Sequence, residues 1–428
     1  MQTLARVALL VSFILPATAG SAMADHIVQD CPDATNSVYF PGGVPVNARI
    51  AFSPELGAWY VVWTQIKLSA FGPPREVVYG RIVTQGSPFA LQPVEVLYST
   101  PVISSGLSPL PTSPAVAATS SGFAIVYGRT DSNRHASTAM RWRTLAALLP
   151  EAEVPTSPAD HVVLPNVAFN PSNGRLLVVW IGQWPDATVH VGGTAYQVAG
   201  SGSPTPSFSP QLIGASSRLV TPAVSRDFDG FHVAWLNPGA GNGVRITTTD
   251  ADGVSHATTG ELLASGGPLV NSITTAHNPA GSMSIAAWEQ GGVVKGRCFM
   301  AILGQTYFDS TLRVFSGLDQ WSYAPNLLIQ SGTFHVAWTA RNPNSTANGD
   351  IHANTIDARI TAGPTVCDPI GGIESVASGA NDEIRGSLGN GPVEPVAVWN
   401  AAYQCLTKGQ SGYLKAISAG SATKFTNP

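Results

Sequence analysis

The hydrophobic pattern along the chain repeats a unit in which a short apolar run ends in an aromatic residue. The two clearest copies are residues 230–236, which read GFHVAWL, and residues 333–339, which read TFHVAWT. Comparable runs end at seven aromatic positions: Trp63, Tyr127, Trp180, Trp235, Trp288, Trp338 and Trp399. Their nearly regular spacing is typical of a structural repeat, which takes precedence over a division of the chain by length alone.

Two further apolar segments flank each aromatic run, and a weaker fourth leads to the next unit. The first segments, several of which begin with proline, lie at 48–52, 114–118, 165–169, 222–225, 272–276, 325–329 and 384–388. The third segments lie at 77–83, 137–143, 188–194, 244–249, 293–300, 351–360 and 413–417. All are too short and too β-branched for helices, and turn residues separate them at strand spacing.

Four short strands in each of seven units predict an all-β fold, a seven-bladed β-propeller of four-stranded antiparallel blades. The second strand is apolar on both faces, so each blade must lie between two others. A small residue before the aromatic (Ala234, Ala287 or Ala337) would let neighbouring blades approach. The ring is expected to close near the N- and C-termini, and residues 32–40 are a candidate for the closing strand. A β-sandwich or a pair of smaller β-domains is the alternative.

The N-terminus has the pattern of a secretory signal peptide. Arg6 precedes the apolar run 7–15, and small residues end in Ala22-Met23-Ala24. We therefore expect a signal peptide over 1–24, an N-terminal segment over 25–47 and the propeller over 48–428. No later window has the roughly 18 to 20 apolar residues of a membrane span. The expected location is secreted, either extracellular or periplasmic in a Gram-negative host.

Composition and cysteine content refine this picture. Charged residues make up 11% of the chain and the net charge is -4, with no basic block, which argues against a nucleic-acid partner. Four cysteines in an exported chain favour disulfides. Cys31 and Cys405 lie near the two ends and are expected to lock the ring. Cys367 is an alternative partner for either, and Cys298 is expected to be free and buried.

Three sequence motifs resemble the units of secreted, Trp-ended repeat propellers found in bacterial proteins. They are PAVA at 114–117, Gly174 followed by Val178-Val179-Trp180, and YGRIV at 79–83. The resemblance covers about residues 48 to 420 and implies the architecture and a bacterial source. It implies no activity, because propellers carry unrelated functions. Residues 225–230 (SRDFDG) approach a sialidase Asp box, but the glycine is displaced.

The loops after the second strands, and those leading into the next blade, would line one face of the ring, which we call the upper face. Polar residues that follow the aromatics would surround its rim: Gln65, Arg129, Gln183, Asn237, Gln290, Arg341 and Asn400. Trp184, Trp321 and Tyr323 add aromatic rings, which stack on sugars while polar groups bind hydroxyls. These residues predict a binding module for a glycan or another extracellular polymer or protein. The competing interpretations are that the polar residues simply meet water and that the rings fill gaps between blades.

Catalysis and metal binding have weaker sequence signals. Glu289 and Asp319 would face each other across neighbouring blades, and Asp382 stands similarly before blade 7, as in the carboxylate pairs of glycosidases. An alternative function is therefore a polysaccharide-cleaving hydrolase or lyase, and another is a structural surface protein. His232 and His335 share a register but belong to non-adjacent blades, so we interpret them as packed side chains. The sequence predicts neither a metal nor a cofactor.

Overall fold

The computed structural model describes most of the chain between residues 37 and 416. The described ranges are 37–39, 44–69, 72–84, 90–100, 112–133, 135–184, 188–199, 203–216, 220–236, 243–265, 270–279, 282–302, 305–309, 311–317, 321–341, 349–360, 365–377, 382–392, 395–402 and 411–416. Within these ranges, no helical segment has the length and hydrophobicity that crossing a bilayer requires.

The described strands, numbered in chain order, form seven antiparallel sheets. Strand β1 spans Ser37–Tyr39. Sheet 1 contains β2 (Val44–Ser53), β3 (Ala58–Ser69), β4 (Gly72–Thr84), β5 (Ala90–Leu91) and β6 (Glu95–Ser99). Sheet 2 contains β7 (Ala115–Ala118), β8 (Phe123–Thr130), β9 (Ala136–Arg143) and β10 (Ala152–Glu153). Sheet 3 contains β11 (Asp160–Asn170), β12 (Arg175–Gln183), β13 (Val189–Gln197), β14 (Thr205–Pro206) and β15 (Gln211–Ala215).

The remaining sheets follow in the same order. Sheet 4 contains β16 (Ala223–Arg226), β17 (Phe231–Leu236), β18 (Val244–Thr249) and β19 (Glu261–Ala264). Sheet 5 contains β20 (Val270–Asn278), β21 (Met283–Gln290), β22 (Val293–Ile302), β23 (Gln305–Phe308) and β24 (Arg313–Val314). Sheet 6 contains β25 (Trp321–Gln330), β26 (Thr333–Arg341), β27 (Asp350–Ile360) and β28 (Thr365–Ala377). Sheet 7 contains β29 (Asp382–Gly389), β30 (Val396–Ala402), β31 (Ser411–Ala416) and β1.

The first strands of successive sheets lie side by side. Strands β2, β7, β11, β16, β20, β25 and β29 each contact the next one in this order, and β29 contacts β2. Sheets 1 to 6 are each a continuous stretch of chain, whereas sheet 7 adds β1 beside β31, with Ser37 opposite Tyr413. The predicted all-β propeller with four-stranded antiparallel blades is confirmed. In sheets 1, 3 and 5 the fourth strand is split into two short pieces that both pair with the third strand.

The second strands alternate between the two neighbouring sheets. In β17, Phe231, Val233 and Trp235 pack toward sheet 3, while Ala234 and Leu236 pack toward sheet 5. This follows from strand geometry, which points successive side chains to opposite faces. Buried apolar clusters of this kind fill the space between every pair of neighbouring sheets, and one of them joins Val396 of sheet 7 to residues of sheet 1.

The first strands carry bulges that the sequence pattern does not reveal. Leu164 and Ala324 adopt left-handed backbone conformations, each just before a proline and at a shift in strand register. Proline in a sheet is confined to edges and bulges because it lacks an N–H donor. Two residues later, asparagine side chains bond the next sheet. Asn166 Nδ2 donates to Pro222 O at 3.0 Å, and Asn326 Oδ1 accepts from Leu388 N at 2.8 Å.

The turns between first and second strands are tied to the next sheet by side chains at the end of the first strand. Asn170 Nδ2 donates to Gly230 O at 3.0 Å, and Asn278 Nδ2 donates to Gly332 O at 2.9 Å. Gln330 Nε2 likewise donates to Gly391 O at 2.7 Å. These bonds lie on the face opposite the upper face, which we call the lower face. They give several sheets a fixed position relative to the following one.

One disulfide joins Cys298 in β22 to Cys367 in β28, with the Cα atoms 5.9 Å apart. Both cysteines belong to the apolar cluster between sheets 5 and 6. The prediction of a free Cys298 is therefore wrong, as is the pairing of Cys367 with a terminal cysteine. The reason is that third and fourth strands of adjacent sheets face each other, a proximity that chain position does not show. The predicted Cys31–Cys405 pair lies outside the described residues.

Gly192→Ala should destabilise the protein, because a Cβ at this position would overlap the ring of Trp180, which is fully buried. Overpacking of this kind costs about 1–3 kcal/mol. Urea unfolding measures the change. Gly372→Ala is the matched control, because a Cβ there meets no atom; equal stability of the two variants would contradict the packing described.

Removing the disulfide should lower the free energy of unfolding by about 4 kcal/mol, the chain-entropy value for a crosslink across 69 residues. When both proteins are under reducing conditions, the Cys298→Ala/Cys367→Ala double variant should have the same free energy of unfolding as the wild type, because both then lack this bond. Denaturant unfolding with and without reductant measures both. A double variant as stable as the oxidised wild type would contradict a stabilising crosslink.

Candidate functional site

The rim residues of the upper face divide according to their distance from the buried aromatic. The second strands do not end at that residue but continue for one to six positions. Gln65 and Gln290 stand two positions beyond it, where the strand is still enclosed by its surroundings. They are 0% and 4% exposed. The prediction that these two residues face solvent on the rim is wrong for this reason.

Arg129, also two positions beyond its aromatic, is held within sheet 2. Its guanidinium donates to Glu151 Oε1 at 2.7 Å and to Glu153 Oε2 at 2.9 Å. Tyr127 OH donates to the other oxygen of Glu151, and burial together with this hydrogen bond raises the pKa of Tyr127. Arg129 is therefore part of an internal polar network in which most of its donors are already used.

Gln183 and Arg341 stand three positions beyond the aromatic, and both side chains are exposed. Next to Gln183, the half-buried ring of Trp184 stacks on Trp180 with centroids 5.4 Å apart and planes at 22°. The ring of His190 meets Trp184 edge-on at 5.2 Å. The expectation of a freely exposed Trp184 is wrong, since the ring is fixed against the sheet by its neighbours.

Two exposed histidines that the sequence pattern does not mark lie at the upper ends of sheets 2 and 3. His135 precedes β9 in sheet 2, and His161 lies in the first strand of sheet 3 with a left-handed backbone. Their ring centroids are 5.3 Å apart. The upper edge between sheets 2 and 3 thus presents two exposed imidazoles, and the rigid indole of Trp184 packs in the cluster between the same two sheets.

Glu289 is not a solvent-facing acid. It is 2% exposed, and its carboxylate accepts hydrogen bonds from Asn271 Nδ2 at 2.7 Å and from Gly292 N at 3.1 Å. Its side chain therefore closes the β21–β22 hairpin, and the prediction of a catalytic acid at this position receives no support from the geometry. Its proposed partner Asp319 lies outside the described residues.

The other predicted site residues are placed only in part. Tyr323 is half-buried within β25, the strand that it was expected to precede. For three further residues the structure gives the backbone in a strand but not the side chain: Trp321, Asp382 and Asn400. Asn237 lies outside the described residues.

A compact group of titratable side chains lies on the lower face, between sheets 4 and 5. His232 Nε2 is 3.3 Å from Asp227 Oδ1 and 2.8 Å from Ser284 Oγ. His277 Nδ1 is 3.8 Å from the same carboxylate oxygen and 2.9 Å from the same hydroxyl. The donor atoms of Asp227, His232 and His277 all lie within 4.8 Å of one another. We refer to these four residues as the lower-face cluster.

Local strand geometry assembles this cluster. His277 and Ser284 are directly opposite each other in β20 and β21, so their side chains share the face that points toward sheet 4. His232 alternates with Phe231 and Val233 and so points toward sheet 5. Asp227 lies in the turn before β17, where its own N–H donates to Gly230 O at 2.8 Å. Two adjacent sheets therefore contribute two side chains each.

The electrostatics of the lower-face cluster favour a charged carboxylate and a neutral imidazole. Burial lowers the pKa of His277 to about 4, with a further contribution from His232. Burial alone would raise the pKa of Asp227, but the hydrogen bond from His232 and the nearby imidazoles lower it below its ordinary value. Near neutral pH the cluster thus contains an ionised Asp227 and a neutral His277.

The sequence pattern does not reveal this cluster, because the motif of His232 recurs only at His335, which has the same register two sheets away. His277 lies in a first strand of the adjacent sheet, where no repeated motif marks it. Two signals pointed to the site. One is the histidine at the start of a second strand, and the other is the displaced Asp box, whose first aspartate is Asp227.

Comparison with known proteins gives similarity in fold alone. No protein-family model matches the chain, and no curated protein does so. The β-propeller domain of the Trilobed protease from Pyrococcus furiosus is similar at 11% identity and a TM-score of 0.48, covering 91% of this chain and 100% of that one. Trypanosoma rangeli sialidase in complex with sialic acid is similar at 10% identity and a TM-score of 0.47, covering 86% and 72%.

TolB from Acinetobacter baumannii is similar at 14% identity and a TM-score of 0.38, covering 83% of this chain and 80% of that one. At such identities and TM-scores, none of these likenesses carries an argument about activity. The fold assignment rests on the sheets themselves, and any function must be argued from the site.

Glu289→Gln should destabilise the fold by about 1–3 kcal/mol, because the new amide group would turn a donor toward Asn271 Nδ2 or Gly292 N in a buried site. Urea unfolding measures the loss. The exposed Glu55→Gln serves as the matched control and should leave stability nearly unchanged. A Glu289→Gln variant with wild-type stability would contradict the structural role described.

Proposed function

We propose that the protein is an exported binding module that recognises a glycan or another extracellular polymer through its upper face. The strand ends and hairpins of that face offer exposed amide, guanidinium and imidazole groups at Gln183, Arg341, His135 and His161. Neutral and cationic donors of this kind suit hydroxyl-rich or acidic polymers. They lie on a rigid sheet framework, which reduces the entropy lost on binding.

The observation that carries the proposal is the arrangement of Gln183 and Trp184. The Trp184 ring is half-buried and held by Trp180 and His190, so that its position is fixed before any ligand arrives. The exposed amide of Gln183 stands at the preceding position. Fixed aromatic rings and exposed hydrogen-bonding side chains on one face of a protein are the groups with which proteins bind sugar rings.

The proposal includes a closed ring of seven blades over residues 48–428. The continuous contact of first strands around all seven sheets supports this count, as does the apolar cluster between sheets 7 and 1. The pairing of β1 with β31 supports the N-terminal segment, residues 25–47, as the source of the closing strand. Residues 1–24 are proposed to be the signal peptide that directs export.

The geometry of Glu289 does not favour the alternative of a polysaccharide-cleaving enzyme. Its first candidate acid, Glu289, is buried and bonded to Asn271 and Gly292. A general acid must reach the oxygen that it protonates, and this carboxylate does not. The function that the geometry supports best is therefore recognition without cleavage.

Trp184→Ala should weaken binding to the recognised polymer by about tenfold, the loss that corresponds to one aromatic stacking contact. Gln183→Ala should weaken it as well without changing the melting temperature, because the side chain is exposed. Affinity electrophoresis in gels containing neutral and acidic polysaccharides identifies the ligand, and isothermal titration calorimetry then gives the affinities.

Phe208→Ala is the matched control, since this aromatic residue is 48% exposed between β14 and β15 of the same sheet, away from the upper face. It should bind like the wild type. Two results would remove the proposal. One is a wild-type chain that binds no polymer in the panel, and the other is unchanged affinity in both upper-face variants.

A further inference from the structure

We propose that Asp227, His232 and His277 bind a divalent transition-metal ion of the zinc class, which joins sheets 4 and 5 on the lower face. This site is separate from the upper face and does not depend on polymer binding. It uses two ligands from sheet 4 and one from sheet 5, with the hydroxyl of Ser284, also from sheet 5, beside them.

The separations between the donor atoms fit a single ion. Ligands bound to zinc at about 2.0–2.1 Å in a tetrahedron stand about 3.3–3.4 Å from one another. Asp227 Oδ1 is 3.3 Å from His232 Nε2 and 3.8 Å from His277 Nδ1. All three donor atoms lie within 4.8 Å. Small side-chain rotations therefore bring them to bonding distance, with no movement of the strands.

The chemistry of the donor set selects the class of ion. Two imidazole nitrogens and one carboxylate oxygen suit zinc and related transition metals, whereas calcium and magnesium prefer shells made of oxygen. The carboxylate offsets part of the charge of the ion, as a buried site requires. The Ser284 hydroxyl, within 3 Å of both nitrogens, stands where a fourth ligand or a bound water would lie.

Burial and access both suit a structural ion. His232 is fully buried and His277 is 3% exposed, so these ligands are held in place by the packing between the sheets. The carboxylate of Asp227 is 16% exposed and lies in a surface turn. It therefore gives the ion a path from solvent, while the imidazoles form the closed side of the site.

The chain contains its own comparison for this site. His335 in sheet 6 occupies the same place in the motif FHVAW and points toward sheet 7, as His232 points toward sheet 5. In sheet 7, the residue pair that faces His335 next to the β29–β30 turn is Leu388 with Ala397. The equivalent pair in sheet 5 is His277 with Ser284. Apolar residues thus occupy this place between sheets 6 and 7. The polar set between sheets 4 and 5 serves an additional purpose, which we assign to metal binding.

Zinc titration of the full-length, untagged chain tests the proposal after dialysis against EDTA. Calorimetry should show one Zn²⁺ bound per chain and a rise in melting temperature on binding, because an ion that binds only the folded state stabilises it. Asp227→Asn and His277→Gln should each weaken binding by about tenfold or more. Replacement of Zn²⁺ by Co²⁺ should give the visible absorption of a tetrahedral nitrogen–oxygen site.

His335→Gln is the matched control and should bind Zn²⁺ like the wild type. His161→Gln tests the exposed imidazole pair on the upper face as a competing location for the bound ion. Three results would overturn the proposal: no bound ion in the wild type, full binding in both Asp227→Asn and His277→Gln, or binding lost only in His161→Gln. If either ligand variant fails to fold, the Co²⁺ spectrum of the wild type and of Ser284→Ala decides. A spectrum without tetrahedral bands in both also overturns the proposal.

Discussion

The structure depends on second strands whose two faces are both apolar and both covered by neighbouring sheets. In β17, for example, Trp235 packs against one neighbour while Ala234 packs against the other, and both are almost completely buried. A single sheet cannot bury both apolar faces of its second strand, so each sheet needs a neighbouring sheet on either side. The circular arrangement is the solution in which every sheet has two neighbours.

The same constraint controls where polar side chains can lie. Within the interfaces several of them bond across the gap between sheets, as Thr64 does with Thr112 at 2.7 Å. Tyr60, Glu95 and Arg143 form a similar bridge between sheets 1 and 2, with Tyr60 donating to Glu95 at 2.8 Å. Burial of such groups is costly unless each is paired. The lower-face cluster is a further case, since it concentrates two imidazoles and a carboxylate at one interface.

The sequence predicts the positions of the strands well, but it predicts poorly whether side chains near the strand ends are buried or exposed. All seven first, second and third segments lie where strands are found, because hydrophobic periodicity is a local property. The orientation of Gln65 or Gln290 depends instead on how far each strand runs beyond its aromatic residue. The Cys298–Cys367 bond and the meeting of His232 with His277 depend on which strands of adjacent sheets face each other. The hydrophobic pattern of one strand shows neither how far that strand extends nor which strand of the adjacent sheet faces it.

The two faces of the ring therefore have different physical characters. On the lower face, Asn170 and Asn278 fix the turn of the next sheet, whereas the corresponding residue of sheet 4 is Arg226. Near this turn, sheets 4 and 5 are joined by the hydrogen bond between His232 Nε2 and Ser284 Oγ, at 2.8 Å. A metal ion at this point would supply the fixed connection that an asparagine provides elsewhere. On the upper face, Gln183 and Arg341 are exposed at strand ends, and the proposed recognition uses these side chains rather than those that connect the sheets.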